Sequence, residues 1–159
     1  MKLESGYFDT DVMISYAHRP SSVLRTDLWE TKNITTFYAK DQHTGDKYKV
    51  TVPKGYLSDG ATVPRMFWDF APTMGRYTQS VILHDWLCEY LTVYDITNKP
   101  IRITRADADE FLRVAMISHN VSRFHKFLLY SGVRIYAILT GVKGPHLSEG
   151  KRALERLEF

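Results

Sequence analysis

The 159-residue sequence has a single cysteine, Cys88. That excludes a disulfide framework within the chain and any zinc site built mainly from cysteines, and it makes a reducing compartment the natural expectation. Charge of one sign is scarce. The net charge is +3 at pH 7, and the basic residues are interspersed with acidic ones and never form a run. Nucleic-acid binding draws on clustered Lys and Arg to neutralise phosphates, so nucleic acid is not expected as a partner. The first residues, Met1 to Tyr7, contain no apolar core, so no secretory signal is expected. Long apolar runs are missing too. The most apolar stretch, Phe127 to Val142, is interrupted by Arg134 and falls short of the about 20 residues a spanning helix needs. It reads as a buried helix, and no transmembrane segment is expected. There is no glycine-rich phosphate loop, no Gly-x-Ser-x-Gly elbow and no His-x-x-x-His pair.

What is present is enough for a core. Hydrophobic residues make up 44% of the chain and aromatics 13%, at a length that suits one domain of about 100–150 residues. The first third is rich in β-branched and aromatic residues. Strands are expected at Val23–Trp29, Ile34–Ala39 and Tyr48–Val52, the last two joined by the polar, Gly-containing loop Lys40–Lys47. Pro53 and Gly55 punctuate the end of that hairpin. Beyond Gly75 the period changes. Tyr77, Val81, His84, Cys88 and Leu91 step by four and three, which predicts a helix from about Arg76 to Tyr94. Asp95–Pro100 breaks it. Thr104 suits the N-cap of a second helix whose buried stripe is Ala108, Phe111, Leu112, Ala115 and Met116. A third helix is expected over Ser122–Thr140, and a short amphipathic one in the tail through Ala153, Leu154 and Leu157. Strands first and helices after predict an α+β fold: a small antiparallel sheet from the N-terminal third packed against three main helices. One domain is expected over residues 1–159, β-rich in 1–63 and helical in 64–142, with a tail over 143–159.

Three polar features stand out. His84 lies on the apolar stripe of its helix, where its ring nitrogens need partners, and Asp85 sits about 100° round at the stripe's edge. Such a pair can place an imidazole and a carboxylate at one cleft, the first as base or ligand and the second to hold a cation. The alternative is a core histidine bonded to a backbone carbonyl, with Asp85 exposed. Arg105, Asp109, Leu112 and Met116 share a face of the next helix, with Asp107 on its other edge. Either aspartate could reach His84 and fix its tautomer, while Asp107 equally suits the helix dipole. Ser58-Asp59-Gly60-Ala61-Thr62-Val63-Pro64-Arg65 reads as a tight loop, with Asp59 a metal ligand, a partner for His84 or a turn cap. Met66-Phe67-Trp68-Asp69-Phe70 reads as core or cleft wall, or as an apolar surface.

Taken together, Val52-Pro53-Lys54-Gly55-Tyr56, Ser58 to Arg65, Val81 to Leu87 and Thr104 to Phe111 resemble a small phage and prophage family described only as a domain of unknown function. Its pattern is VP-x-G-(F/Y), D-(G/F)-A-(S/T)-x-P, HD-x-L and (S/T)-R-x-x-A-D-x-x-F. The resemblance covers about residues 50–140 and implies a phage or prophage origin, with the host bacterial cytoplasm or the virion as location. The matching polar positions are Asp59, His84, Asp85, Arg105 and Asp109. The His-Asp helix followed by an aspartate helix is also similar to the core of the phospholipase A2 group. There the histidine activates water, the adjacent aspartate binds calcium and the distant one orients the histidine. This chain lacks that group's Tyr-x-Gly-x-Gly calcium loop.

The resulting expectation is a metal-dependent hydrolase acting on an ester or amide of the cell envelope. His84 and Asp109 are its catalytic pair, Asp85 and Asp59 the ligands of a divalent ion (calcium or zinc), and Arg105 and Thr62 supporting residues. The alternative is a virion or assembly component in the tail, neck or an accessory position, bound to other virion proteins, in which these residues form a structural network.

Overall fold

The computed structural model describes residues 1–16, 29–58 and 76–141. Asp59, Thr62, Phe67, Trp68, most of the expected 23–29 strand and the tail lie outside these residues. The described elements run β1 (Leu3–Phe8), β2 (Ile14–Tyr16), β3 (Trp29–Thr31), β4 (Thr35–Asp41), β5 (Lys47–Val52), β6 (Leu57–Ser58), α1 (Thr78–Tyr90), β7 (Thr92–Asp95), β8 (Pro100–Arg102), α2 (Arg105–Ser118) and α3 (Arg123–Thr140).

The fold is α+β. A five-stranded sheet has the order β1-β4-β5-β7-β8, and a three-stranded one the order β2-β3-β6, with every pairing antiparallel. The expected hairpin is β4–β5, in register Phe37 opposite Val50. Its loop is drawn tight by the Asp41 carboxylate, which accepts from the backbone N–H of His43 (2.8 Å) and Thr44 (3.0 Å). Phe37, Ala39, Val50 and Val52 supply the sheet's buried face and pack with Ile82, Leu83 and Leu87 of α1 and Phe111 and Ala115 of α2.

The sheet is larger than the sequence pattern suggests, because strands enter from both sides of the hairpin. β1 pairs with β4 through residues too polar to signal a strand. Gly6 permits this pairing to close: a Cβ there would collide with the Phe37 ring and stand 2.8 Å from the Tyr38 carbonyl oxygen. Glu110 accepts from the Leu3 N–H (3.0 Å) and Arg113 donates to the Leu3 carbonyl (2.9 Å). Side chains of α2 thus occupy polar groups that an edge strand would otherwise offer to another chain.

The second addition, β7–β8, interrupts the part expected to be helical. The first helix stops at Tyr90 rather than Tyr94. Leu91 turns left-handed (φ 47°) and its N–H closes on the Leu87 carbonyl at 2.7 Å. Thr92-Val93-Tyr94 then extends, and the Asp95 carboxylate accepts from the Thr97 N–H, the Thr97 hydroxyl and the Lys99 N–H to make the turn. α2 begins as the sequence implies. Thr104 caps the Asp107 N–H, and the Asp107 carboxylate returns a bond to the Thr104 N–H, a reciprocal capping box.

Candidate functional site

α1 packs against α2 and against β5 and β6. It is buried nearly all round rather than along one stripe, with Gln79, Ser80, Val81, Ile82, Leu83, His84, Leu87, Cys88 and Glu89 all inaccessible. Gln79, His84 and Glu89 are thereby placed where an unmet polar atom is costly, and so is Ser80, whose hydroxyl has no partner among the described residues. Those three and the half-buried Asp85 each have a partner outside the helix. Gln79 donates to the Thr10 carbonyl and the Thr35 hydroxyl. Glu89 accepts from the Tyr56 hydroxyl at 2.9 Å. Asp85 accepts from the Ser58 hydroxyl at 2.6 Å. His84 Nε2 lies 2.9 Å from Asp109 Oδ1.

The last of these contacts is set by how α1 meets α2. Tyr77 and Val81, at the start of α1, pack with Leu112 and Met116, towards the end of α2. This antiparallel crossing brings His84 opposite Asp109. It also settles which aspartate faces the histidine. Asp107 is committed to the capping box, and Asp109 points inward at 3% exposure.

A third helix completes the cluster. Arg134 of α3 donates from Nη1 to Asp109 Oδ2 at 3.0 Å. One carboxylate therefore binds a cation on each oxygen and ties three helices together. Cys88, one turn after His84, places its sulfur 3.5 Å from Nε2 and 3.8 Å from Nδ1. It lies within hydrogen-bonding reach of both ring nitrogens, and among the described residues it is the partner of Nδ1. Burial works against charge on the ring, but Cys88 and the Asp109 carboxylate outweigh it and raise the His84 pKa from 6.5 to about 10. The raised pKa favours the imidazolium at neutral pH, with the second proton on Nδ1 beside the Cys88 sulfur.

The loop side of α1 is built separately. The buried hydroxyl of Thr31 donates to the Pro53 carbonyl (2.7 Å) and accepts from the Tyr56 N–H (2.9 Å). Gly55 turns with φ 83°, a conformation that favours glycine. This folds the 53–58 segment so that Tyr56 meets Glu89 and Ser58 meets Asp85. His84 and Asp85, adjacent in sequence, thus serve different partners.

Of the residues singled out from sequence, His84 and Asp109 are brought into direct contact. Asp85 engages Ser58. Arg105 opens α2 and is half-buried. It is not among the groups bonded to His84 or Asp109. Asp59 and Thr62 fall outside the described residues. Arg134, Ser58, Tyr56 and Glu89 were not foreseen in these roles. For Arg134 a signal existed: a lone cation inside an apolar run must find an anion or reach water. Among the described residues no three His, Cys, Asp or Glu side chains converge to hold a metal ion. A surface cavity of about 570 Å³ lies elsewhere, across β1 and α2, lined by Leu3, Glu4, Gln42, Glu110 and Arg113 among others.

A family model described as "Protein of unknown function (DUF1353)" matches residues 35–133. The chain belongs to that family. The DUF1353 segment begins with β4 and contains His84, Asp85, Arg105 and Asp109. It stops one residue short of Arg134. Comparison with curated proteins and with solved structures gives no match.

Proposed function

We propose that this DUF1353 member is a phage- or prophage-encoded hydrolase of an ester or amide bond in the cell envelope, with His84 as its proton-transferring residue. The observation that supports this most is the His84–Asp109 contact. Asp109 grips Nε2 from a second helix and leaves Nδ1 with the Cys88 sulfur, 3.8 Å away, as its partner among the described residues. Asp109 is then the positioning residue, and Arg134 holds Asp109 in turn. An imidazolium at this place gives its Nδ1 proton to the departing oxygen or nitrogen as water adds to the acyl carbon. The proton shed by that water recharges the ring. Asp85, braced by Ser58, is a second carboxylate at the neighbouring position. The described residues alone do not supply a metal's donor set, since no three His, Cys, Asp or Glu side chains converge among them. No step here passes through a metal. A calcium or zinc ion on Asp85 and Asp59 remains part of the proposal, tested by elemental analysis of wild type beside Asp85→Ala.

The activity test is a screen of the purified protein on phospholipid and peptidoglycan, wild type beside His84→Gln. Wild-type turnover is expected to be steady through neutral pH and to fall as pH rises through about 10, with at least a ~100-fold loss in His84→Gln. Full activity in a folded His84→Gln protein would overturn the assignment.

One observation favours a second reading. Gln79, His84, Asp85 and Glu89 all have intramolecular partners, as a network that keeps helices in register would. A virion or assembly component is the function that goes with it. Its mark would be fixed stoichiometry in purified phage particles.

A further inference from the structure

We propose that α3 docks the protein on an anionic lipid surface. This inference does not depend on the hydrolase reading. Five large apolar side chains stand out from α3: Phe124 (56% exposed), Phe127 (71%), Ile135 (56%), Ile138 (71%) and Leu139 (81%). At about 100° per residue they fall, with Ser131, within one third of the helix circumference. The opposite side is occupied. Leu129 is buried in a cluster with Tyr77, Val81, Leu112, Met116 and Val121, against which Tyr130 and Val133 also pack. α3 is therefore apolar on two faces, one turned to the protein and one to the outside.

Charge selects the occupant of the outer face. The helix, RFHKFLLYSGVRIYAILT, contains Arg123, Lys126 and Arg134 and no acidic residue. By the same helical spacing Arg123 and Lys126 share one flank of the exposed stripe, which Arg134, paired with Asp109 and 39% exposed, continues. A second copy would bring like charge against like charge. An aqueous surface leaves five apolar side chains wet. A membrane of anionic headgroups meets both demands, with phosphates along the basic flank and acyl chains under the Phe, Ile and Leu side chains. The stripe is the convex face of one helix, the shape of an element lying in the interface plane. Nothing about it requires spanning: among the described residues no helix is long and apolar enough to cross a membrane.

The test is co-sedimentation of the full chain with vesicles of pure phosphatidylcholine and with vesicles half phosphatidylglycerol. The wild type is expected to bind the anionic vesicles, and to do so more weakly as salt is raised. Phe127→Ser with Ile138→Ser should lower that binding about tenfold or more. Arg123→Gln with Lys126→Gln should lower it several-fold on anionic vesicles and leave the weak binding to neutral ones unchanged. All four positions lie on the outer face or its flank, so thermal melts close to wild type are expected and serve as the control. No sedimentation of wild type with anionic vesicles would overturn the proposal. So would equal binding by the folded variants, or a wild-type dimer that the Phe127/Ile138 variant abolishes while vesicles stay unbound.

Discussion

Asp109→Ala is expected to destabilise the folded protein by about 3–5 kcal/mol at neutral pH, the range for removing one partner of a buried ion pair. Two cations depend on this carboxylate. Arg134, whose side chain is 39% exposed, can turn to water. His84 has no such exit, so it must give up its proton and leave a neutral ring at a buried site. Three helix contacts loosen together, because α1, α2 and α3 meet at this one side chain. Arg134→Ala should cost much less, since Asp109 keeps its bond to His84. Urea titrations of the two variants beside wild type check the order. A loss for Asp109→Ala no greater than that for Arg134→Ala would mean that the pair carries little of the fold's stability.

Stability should also fall as the solution becomes alkaline, and His84 sets the window. Its folded pKa, about 10, is raised above the unfolded value of about 6.5. Between these values the folded state binds the proton and the unfolded state does not, so rising pH favours unfolding. The contribution is complete below about pH 6.5 and is lost as pH passes through about 10; it is on the order of a few kcal/mol. Tyrosines and lysines titrate at the upper end, so the quantity to measure is the difference between wild type and His84→Gln. That difference should shrink steadily from pH 6 to pH 10. A difference independent of pH would show that the His84 pKa does not change on folding.

Much of this arrangement was legible in the chain because helical spacing is a strong geometric constraint. His84 lies on the buried stripe with Val81 and Cys88, and Asp109 lies on that of Leu112 and Met116. Two such stripes on consecutive helices must face each other, and their polar members meet. Thr104 and Asp107 announced their capping box by type and spacing. The hairpin was legible from alternating β-formers around a polar loop. The remainder depends on contacts that local pattern does not encode. Leu3–Phe8 is a strand because β4 offers an edge and Gly6 lets the Phe37 ring approach, and its own residues carry little β signal. Thr92–Asp95 looks like the end of a helix until Leu91 turns left-handed. Arg134 and Asp109 are 25 residues apart, and only the packing of α3 decides that they meet. Asp85 and Ser58 were each visible as polar residues in their own motifs. Their bond follows from Thr31 folding the 53–58 segment back onto α1.

In the proposed function Asp109 holds His84 as an imidazolium whose second nitrogen carries a transferable proton. Nitrogen-15 NMR of the His84 ring across a pH series reads that protonation state. Both ring nitrogens are expected to be protonated at pH 7, with one of them losing its proton only near pH 10. A ring that is neutral at pH 7, with a single protonated nitrogen, would contradict that assignment.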